Sequence, residues 1–310
     1  LDLRQLQQFL AVADELHFGR AATRLNMSQP PLSQAIQALE RELGAKLFER
    51  TKRTVKLSSV GRLWLPHARR AVEHVTSLPA LAARLARGEI GHLRIAFVST
   101  ADYNQLPALI SGYRTAYPNV ELSLREATSD VQIEAILRDE IDIGVVIGPT
   151  DAALHPRLQY VTLLREKLVA AVPDQWILEG RDGFGKETVC PEEIFAAPLI
   201  LFPRRSAPAF HDLISGYFNR HGANFSVHQE AIQMQTIIGL VAAGLGIALV
   251  PESMRSLERK GARYLVLEGE VPEVETGFLW RNDNTNPAQQ NFVRMVTNTI
   301  YHGLDAHRFG

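Results

Sequence analysis

The sequence predicts an α/β protein that carries a small all-α, winged domain at its N-terminus, and three observations support this. Apolar residues recur at helical spacing through the first 43 positions, then give way to short β-type runs around a basic turn. Between residues 64 and 85 an apolar seam alternates steps of four and three. After Gly91, short apolar runs alternate with helical stretches, the pattern of parallel sheets. A chain of 310 residues exceeds what one core usually holds. The expected division is a first domain over 1–60, a linker helix over 61–90 and a final domain over 91–310. The last splits into one subdomain of about 91–162 plus 266–302 and a second of about 163–265.

Leu6, Phe9, Leu10, Ala13 and Leu16 place an amphipathic helix over 4–16, which His17-Phe18-Gly19 interrupts. Arg20–Leu25 reads as a short second helix, with Ala21 and Ala22 allowing close approach, and Asn26-Met27 as a tight turn. Ser28 caps a third helix whose first turn tolerates Pro30 and Pro31, because a missing N–H costs little there. Leu32, Ile36, Leu39 and Leu43 form one narrow apolar stripe on that helix. Its opposite face holds Pro30, Gln34, Gln37 and Arg41, with Ser33 at the edge. Amides can bond bidentately to adenine edges, and a helix fits the major groove. A short helix, a tight turn and a second helix polar at its start describe a helix-turn-helix. Gly44 ends the third helix, and KLFERTKRTVKLSSVG reads as a β-wing with Lys46, Arg50, Lys52, Arg53 and Lys56 against only Glu49. Residues 1–88 carry a net +7, which leaves −8 for the remainder of a chain whose total is −1. A basic N-terminal part implies a polyanionic partner.

The segments AATRLNMSQPPLSQAIQALE and LGAKLFER resemble the DNA-binding domain of LysR-type transcriptional regulators nearly throughout, over residues 3–65. The resemblance implies that Ser28, Gln29, Pro30, Ser33, Gln34 and Gln37, with Pro31 beside them, approach bases or flanking phosphates of duplex DNA. It also implies that Arg50 and Arg53 reach the backbone or the minor groove.

The linker seam comprises Trp64, Ala68, Ala71, Val75, Leu78, Ala82 and Leu85, and such a seam needs a partner. Pro66 is expected in the first turn, whereas Pro79 should kink or end the regular helix. In the resembled family this helix pairs antiparallel with that of a second subunit, and dimers pair into tetramers.

Beyond Gly91, strands are expected at LRIAFV, VELSLREA, IDIGVVIG, KLVAAVP, PLILFP, GIALVP, RYLVLEG and TGFLWR, with helices near 103–117 and 130–138. Residues 91–302 resemble the LysR effector domain, built like a periplasmic binding protein, through LPALISGYRTAYPNVELSLREATS, LRDEIDIGVVIGP and GLVAAGLGIALVPES. Open α/β sheets bind ligands beyond the carboxyl ends of their strands. Ser99 and Thr100, Thr128, and Phe202-Pro203 occupy such ends, with Ile147 at the end of IDIGVVIG. These six are the candidate effector contacts, and the resemblance implies an organic acid, of the aromatic type, as effector. Arg204 and Arg205 are candidates for positive potential at the mouth.

Other function classes lack their signatures. There is no G-x-S-x-G elbow or P-loop, and Gly244-Leu245-Gly246 sits at the end of a helix rather than in a phosphate loop. Ten scattered histidines and the single Cys190 offer no metal cluster, so no cofactor is expected. The alternatives are a hydrolase or isomerase of similar fold, which would turn its ligand over, and an architectural DNA binder, which has no need of a ligand cleft. One cysteine, no signal-peptide pattern and no long apolar span predict a cytoplasmic protein with no membrane partner. The resemblance to LysR-type regulators implies RNA polymerase as a further partner.

Overall fold

The computed structural model describes residues 1–51, 54–148, 154–181, 183–184 and 187–306. The chain divides into two compact units, Leu1–Arg84 and Leu85–Gly310.

In the first unit α1 (Leu3–Glu15) starts in a capping box between Asp2 and Gln5 and ends where Leu16 turns left-handed. Helix α2 (Phe18–Arg24) starts earlier than the sequence suggests, because the His17 ring accepts from the backbone N–H of Arg20. His17-Phe18-Gly19 therefore opens a helix rather than breaking one. Helix α3 (Gln29–Leu43) has Ser28 as its N-cap residue and stops at Gly44, whose φ of 65° suits glycine. Leu32, Ile36 and Leu39 are fully buried in one core with Phe9 and Val12. Strands β1 (Phe48–Arg50) and β2 (Val55–Leu57) pair antiparallel as the wing, Phe48 opposite Leu57.

Helix α4 (Ser59–Ala86) begins at the wing's foot. A Cβ on Gly61 would lie 2.1 Å from the Leu47 carbonyl oxygen, so only glycine permits that approach. Pro66 lies inside the helix rather than in its first turn as expected, and of the two outcomes expected at Pro79 the helix does not end there. The carbonyls that lose their N–H partners belong to Arg62 and Val75, both exposed, so water can satisfy them.

The second unit opens with β3 (Ile90–Phe97), α5 (Leu106–Ala116), β4 (Asn119–Glu126), α6 (Ser129–Leu137) and β5 (Ile143–Ile147). Strands β4 and β5 flank β3 in parallel. Strand β6 (Leu158–Pro173) then runs for 16 residues. It is followed by α7 (Asp174–Leu178), β7 (Thr188–Val189), α8 (Pro191–Ala196), β8 (Leu199–Leu201), α9 (Pro208–Arg220) and β9 (Val227–Glu230). Helix α10 (Met234–Ala242), β10 (Ala248–Pro251), β11 (Ala262–Leu267), β12 (Glu273–Arg281) and α11 (Pro287–Ala306) complete it.

The large sheet is mixed rather than parallel, whereas β8 and β9 pair in parallel. Strand β12 runs antiparallel to β5 and β6, as do β10 and β11 to β6, because β6 leaves the first half and β12 returns to it. The first half of β6 pairs with β12 and the second half with β10 and β11, so one strand serves both subdomains. Because residues 262–266 pair with 169–173, β11 stays in the second subdomain, and the return begins at Glu273 rather than near 266. Tyr113 of α5, Phe292 of α11 and Phe278 of β12 interlock edge-on, with ring centroids 5.2 and 5.6 Å apart, and close one face of the first sheet.

Candidate nucleic-acid interface and ligand cleft

The polar face of α3 is open. Ser28, Gln29, Pro30, Pro31, Gln34 and Gln37 are exposed, and the Ser28 hydroxyl makes no capping bond. Ser33, half-buried, accepts from Arg50 Nη1 at 3.3 Å. The Arg50 guanidinium lies 4.3 Å over the Phe18 ring and 3.7 Å from the Glu40 carboxylate. Burial pulls its pKa below the ordinary guanidinium value, with Glu40 pulling it back. Arg50 therefore braces α3 against α2, since ring and carboxylate both lie inward. Arg53 lies outside the described residues.

Glu40, 4% exposed, is the residue that the sequence reading missed. Its Oε1 accepts from the backbone N–H groups of Leu47 (2.9 Å) and Phe48 (3.1 Å), which fixes the wing to α3. Lys46 Nζ reaches its other oxygen at 3.3 Å. The sequence signal was faint: one acidic residue on the inner face of a helix otherwise buried through leucine and isoleucine.

Of the linker seam, two members are taken up within their own unit. Ala68 is 2% exposed, and the Trp64 ring stacks 4.7 Å from Phe9. They hold α4 to the helix-turn-helix core and are corrected from seam to core. Arg69 adds a bond to Asp14 at 2.7 Å. Beyond them Ala71, Val75, Leu78, Ala82 and Leu85 are exposed, Leu78 by 54% and Val75 by 43%.

In the second unit the carboxyl ends of β3, β4, β5 and β8 converge on a cleft of about 350 Å³. Ser99, Thr100, Thr128, Ile147 and Phe202 line it. Pro203 does not: its carbonyl accepts from Ser206 and Ala207, and this turn brings those two residues to the wall in its place. Thr100 is 2% exposed, and its Oγ1 has no hydrogen-bond partner. Thr128 is the N-cap residue of α6 with its side chain uncommitted, so the first N–H groups of that helix open beside it. Ser99 Oγ accepts from the N–H of Met234, the first residue of α10, at 3.4 Å across the cleft. Ser129 Oγ is turned to the Ile147 N–H.

Arg125, Glu126, Ile232 and Gln233 also line the cleft and were not foreseen. Arg125 and Glu126 lie within the strand VELSLREA but were not read as contacts, and Ile232 and Gln233 lie just before α10, outside every motif read from sequence. Gln233 reaches Glu126 at 3.5 Å. Arg204 is not at the mouth, because Asp212 holds it through two hydrogen bonds of 2.7 and 2.9 Å.

Residues 3–62 match the family of bacterial regulatory helix-turn-helix proteins of the lysR family, and residues 86–300 match the LysR substrate binding domain. The chain belongs to the LysR family. This LysR-type regulator is 51% identical to the HTH-type transcriptional regulator IlvR of Caulobacter vibrioides over 96% of the chain and 98% of that protein. It is 38% identical to AlsR of Bacillus subtilis, covering 95% of each. Among solved structures it resembles full-length CbnR in complex with its target DNA, with a TM-score of 0.80, 29% identity, and coverage of 97% of this chain and 100% of that one. The protein is a DNA-binding transcriptional regulator with a substrate-binding domain, and not an enzyme. No helix among its described residues is long and apolar enough to cross a membrane.

Proposed function

We propose that this regulator responds to a small organic anion, an aromatic carboxylate or a related ring-derived acid, held between the two subdomains. The observation that supports this most is the buried, partnerless Thr100 hydroxyl in a cleft that also holds Ser99, Thr128 and the open N-terminus of α6. Hydroxyls and helix N–H groups can hold a carboxylate without a buried cation. Val98, Ile147, Phe202 and Ile232 supply an apolar wall for the rest of the molecule, the usual composition of a small-ligand pocket. On the same reading, the α3 face from Ser28 to Gln37 contacts the bases of a promoter in the cytoplasm, and Arg53 contacts the DNA backbone. The exposed part of α4 pairs two copies, dimers associate into tetramers, and the assembly acts on RNA polymerase. Ligand binding favours one arrangement of that assembly over another.

Calorimetry against a panel of aromatic and aliphatic acids tests the ligand reading, with Ser99→Ala and Thr128→Val as controls. At least one acid that alters the DNA footprint should bind the parent and bind each variant about tenfold more weakly, one charge-assisted hydrogen bond being worth about 1.5–3 kcal/mol. A footprint-altering acid that binds both variants as tightly as the parent would have its site elsewhere.

A further inference from the structure

Behind the cleft lies a second chamber of about 400 Å³, and its chemistry is the reverse of the first. The two share only Ser129, Ile147 and Ala207, which form a partition one residue thick. Most of the second chamber is apolar, with Ile133, Val146, Leu154, Pro208, Phe210 and Leu279 contributing from both subdomains. Its charged groups are all carboxylates: Asp130, Glu134 and Asp212. No lysine, arginine or histidine lines it among the described residues. Glu134 has Arg138 at 3.2 Å and Asp212 has Arg204, both cations lying outside the chamber. Asp130 differs, because its Oδ1 is buried without any hydrogen-bond partner.

A buried acceptor left unpaired is costly unless something donates to it. A ligand that both fills the chamber and completes Asp130 would bring an apolar body and a positively charged or strongly donating end. We infer that this second chamber binds a small hydrophobic amine, its ammonium on Asp130 and its hydrocarbon against Phe210 and Leu279. An acid of the same shape would meet three carboxylates, with only the Ser129 hydroxyl and the first-turn N–H groups of α6 and α9 to offset them. The inference does not rest on the anion reading of the front cleft. The shared partition does mean that occupancy of one chamber acts on the walls of the other, and any coupling between them must be reciprocal.

The test uses the full chain, with cyclohexylamine and cyclohexanecarboxylate as probes of matched shape, followed by calorimetry and by thermal midpoint. In the unmodified protein the amine should bind saturably, and the acid should leave any amine-occupied site undisturbed. Asp130→Asn keeps the shape and removes the charge, and should weaken the amine about tenfold or more. Ala209→Trp, at the chamber's wall, fills the space from the opposite side and should abolish amine binding. Ser99→Ala, which alters the front cleft only, should leave the amine affinity unchanged. Absence of saturable amine binding to the unmodified protein overturns the inference. So does displacement of the bound amine by the acid in direct competition, or amine binding that both chamber variants retain. The comparison of amine with acid in the unmodified protein decides the charge requirement even if a variant fails to fold.

Discussion

Glu40 shows how a single side chain sets the geometry of the N-terminal unit. Two backbone N–H groups at the start of the wing end on one carboxylate oxygen, in a place that water does not reach. Glu40→Ala leaves both donors buried and unpaired, and should cost about 2–4 kcal/mol of stability, read as a lower denaturant midpoint of the helix-turn-helix signal. Gln34 lies on the other face of the same helix, exposed and uncommitted. Gln34→Ala should leave stability within about 0.5 kcal/mol and instead relax base preference at one operator position by about 1–3 kcal/mol. A selection experiment with randomised operators checks this, and an unchanged preference at every position would remove Gln34 from the reading face. The contrast also marks what the sequence could disclose. The outward amides were legible because Gln34 and Gln37 stand opposite a complete apolar stripe, on the exposed face of their helix. Glu40 was not, since burial of a carboxylate depends on N–H groups seven and eight residues further on.

At the scale of elements, α4 is one helix with two tasks. Its first turns carry Trp64 and Ala68 into the N-terminal core, while Val75, Leu78 and Leu85 stay uncovered. The heptad spacing in the sequence joined all seven positions into one seam, because periodicity records which side of a helix is apolar and not what covers it. Proline was misjudged for a related reason: its cost depends on whether the freed carbonyl is wet, which the local sequence does not state. Val75→Glu should split the assembly, since a paired seam would bury an unpaired charge. Sedimentation should then show a lighter species with unchanged helix content, whereas Trp64→Glu should unfold the N-terminal unit instead. A Val75→Glu protein that sediments like its parent would free α4 from any part in assembly. Strand positions were read well wherever a run was wholly apolar, as in β5 and β10. The first half of β6, LQYVTLLREK, escaped, because it has neither a wholly apolar run nor a strict alternation, and its partner β12 lies more than a hundred residues away.

At the scale of the whole molecule, several carboxyls act together on the response to pH. Burial alone would raise the Asp142 carboxyl, but Arg94 overcomes this with a backbone and two side-chain donors at 2.8–3.0 Å and holds it below the usual range. Asp14, with Arg69 and Arg24, and Glu275, with Thr162 and Arg165, are likewise raised by burial and lowered further by their partners. Each titrates lower when folded than when unfolded, so its contribution is fully present above its unfolded pKa of about 4 and is lost as pH falls through the native value. Denaturant midpoints measured from pH 6 down to about 3 should therefore fall. Asp142→Asn should start lower and fall less steeply, and a parallel decline in parent and variant would exclude Asp142 from the acid response. The two-subdomain plan was visible in the sequence as alternation of strands and helices, but the point of return was not, because only the strand pairing tells β11, which meets the second half of β6, from β12, which meets the first.

That shared strand limits how the molecule can come apart. A hinge made of separate linkers would let either lobe be excised, permuted or melted alone. Here β6 is held by β12 along its first half and lies between β10 and β11 along its second. Fragments cut at the lobe boundary would each inherit half a strand and an uncovered edge, the usual template for aggregation. The slowest-exchanging amides of both lobes should accordingly open together, with the lobes behaving as one foldon.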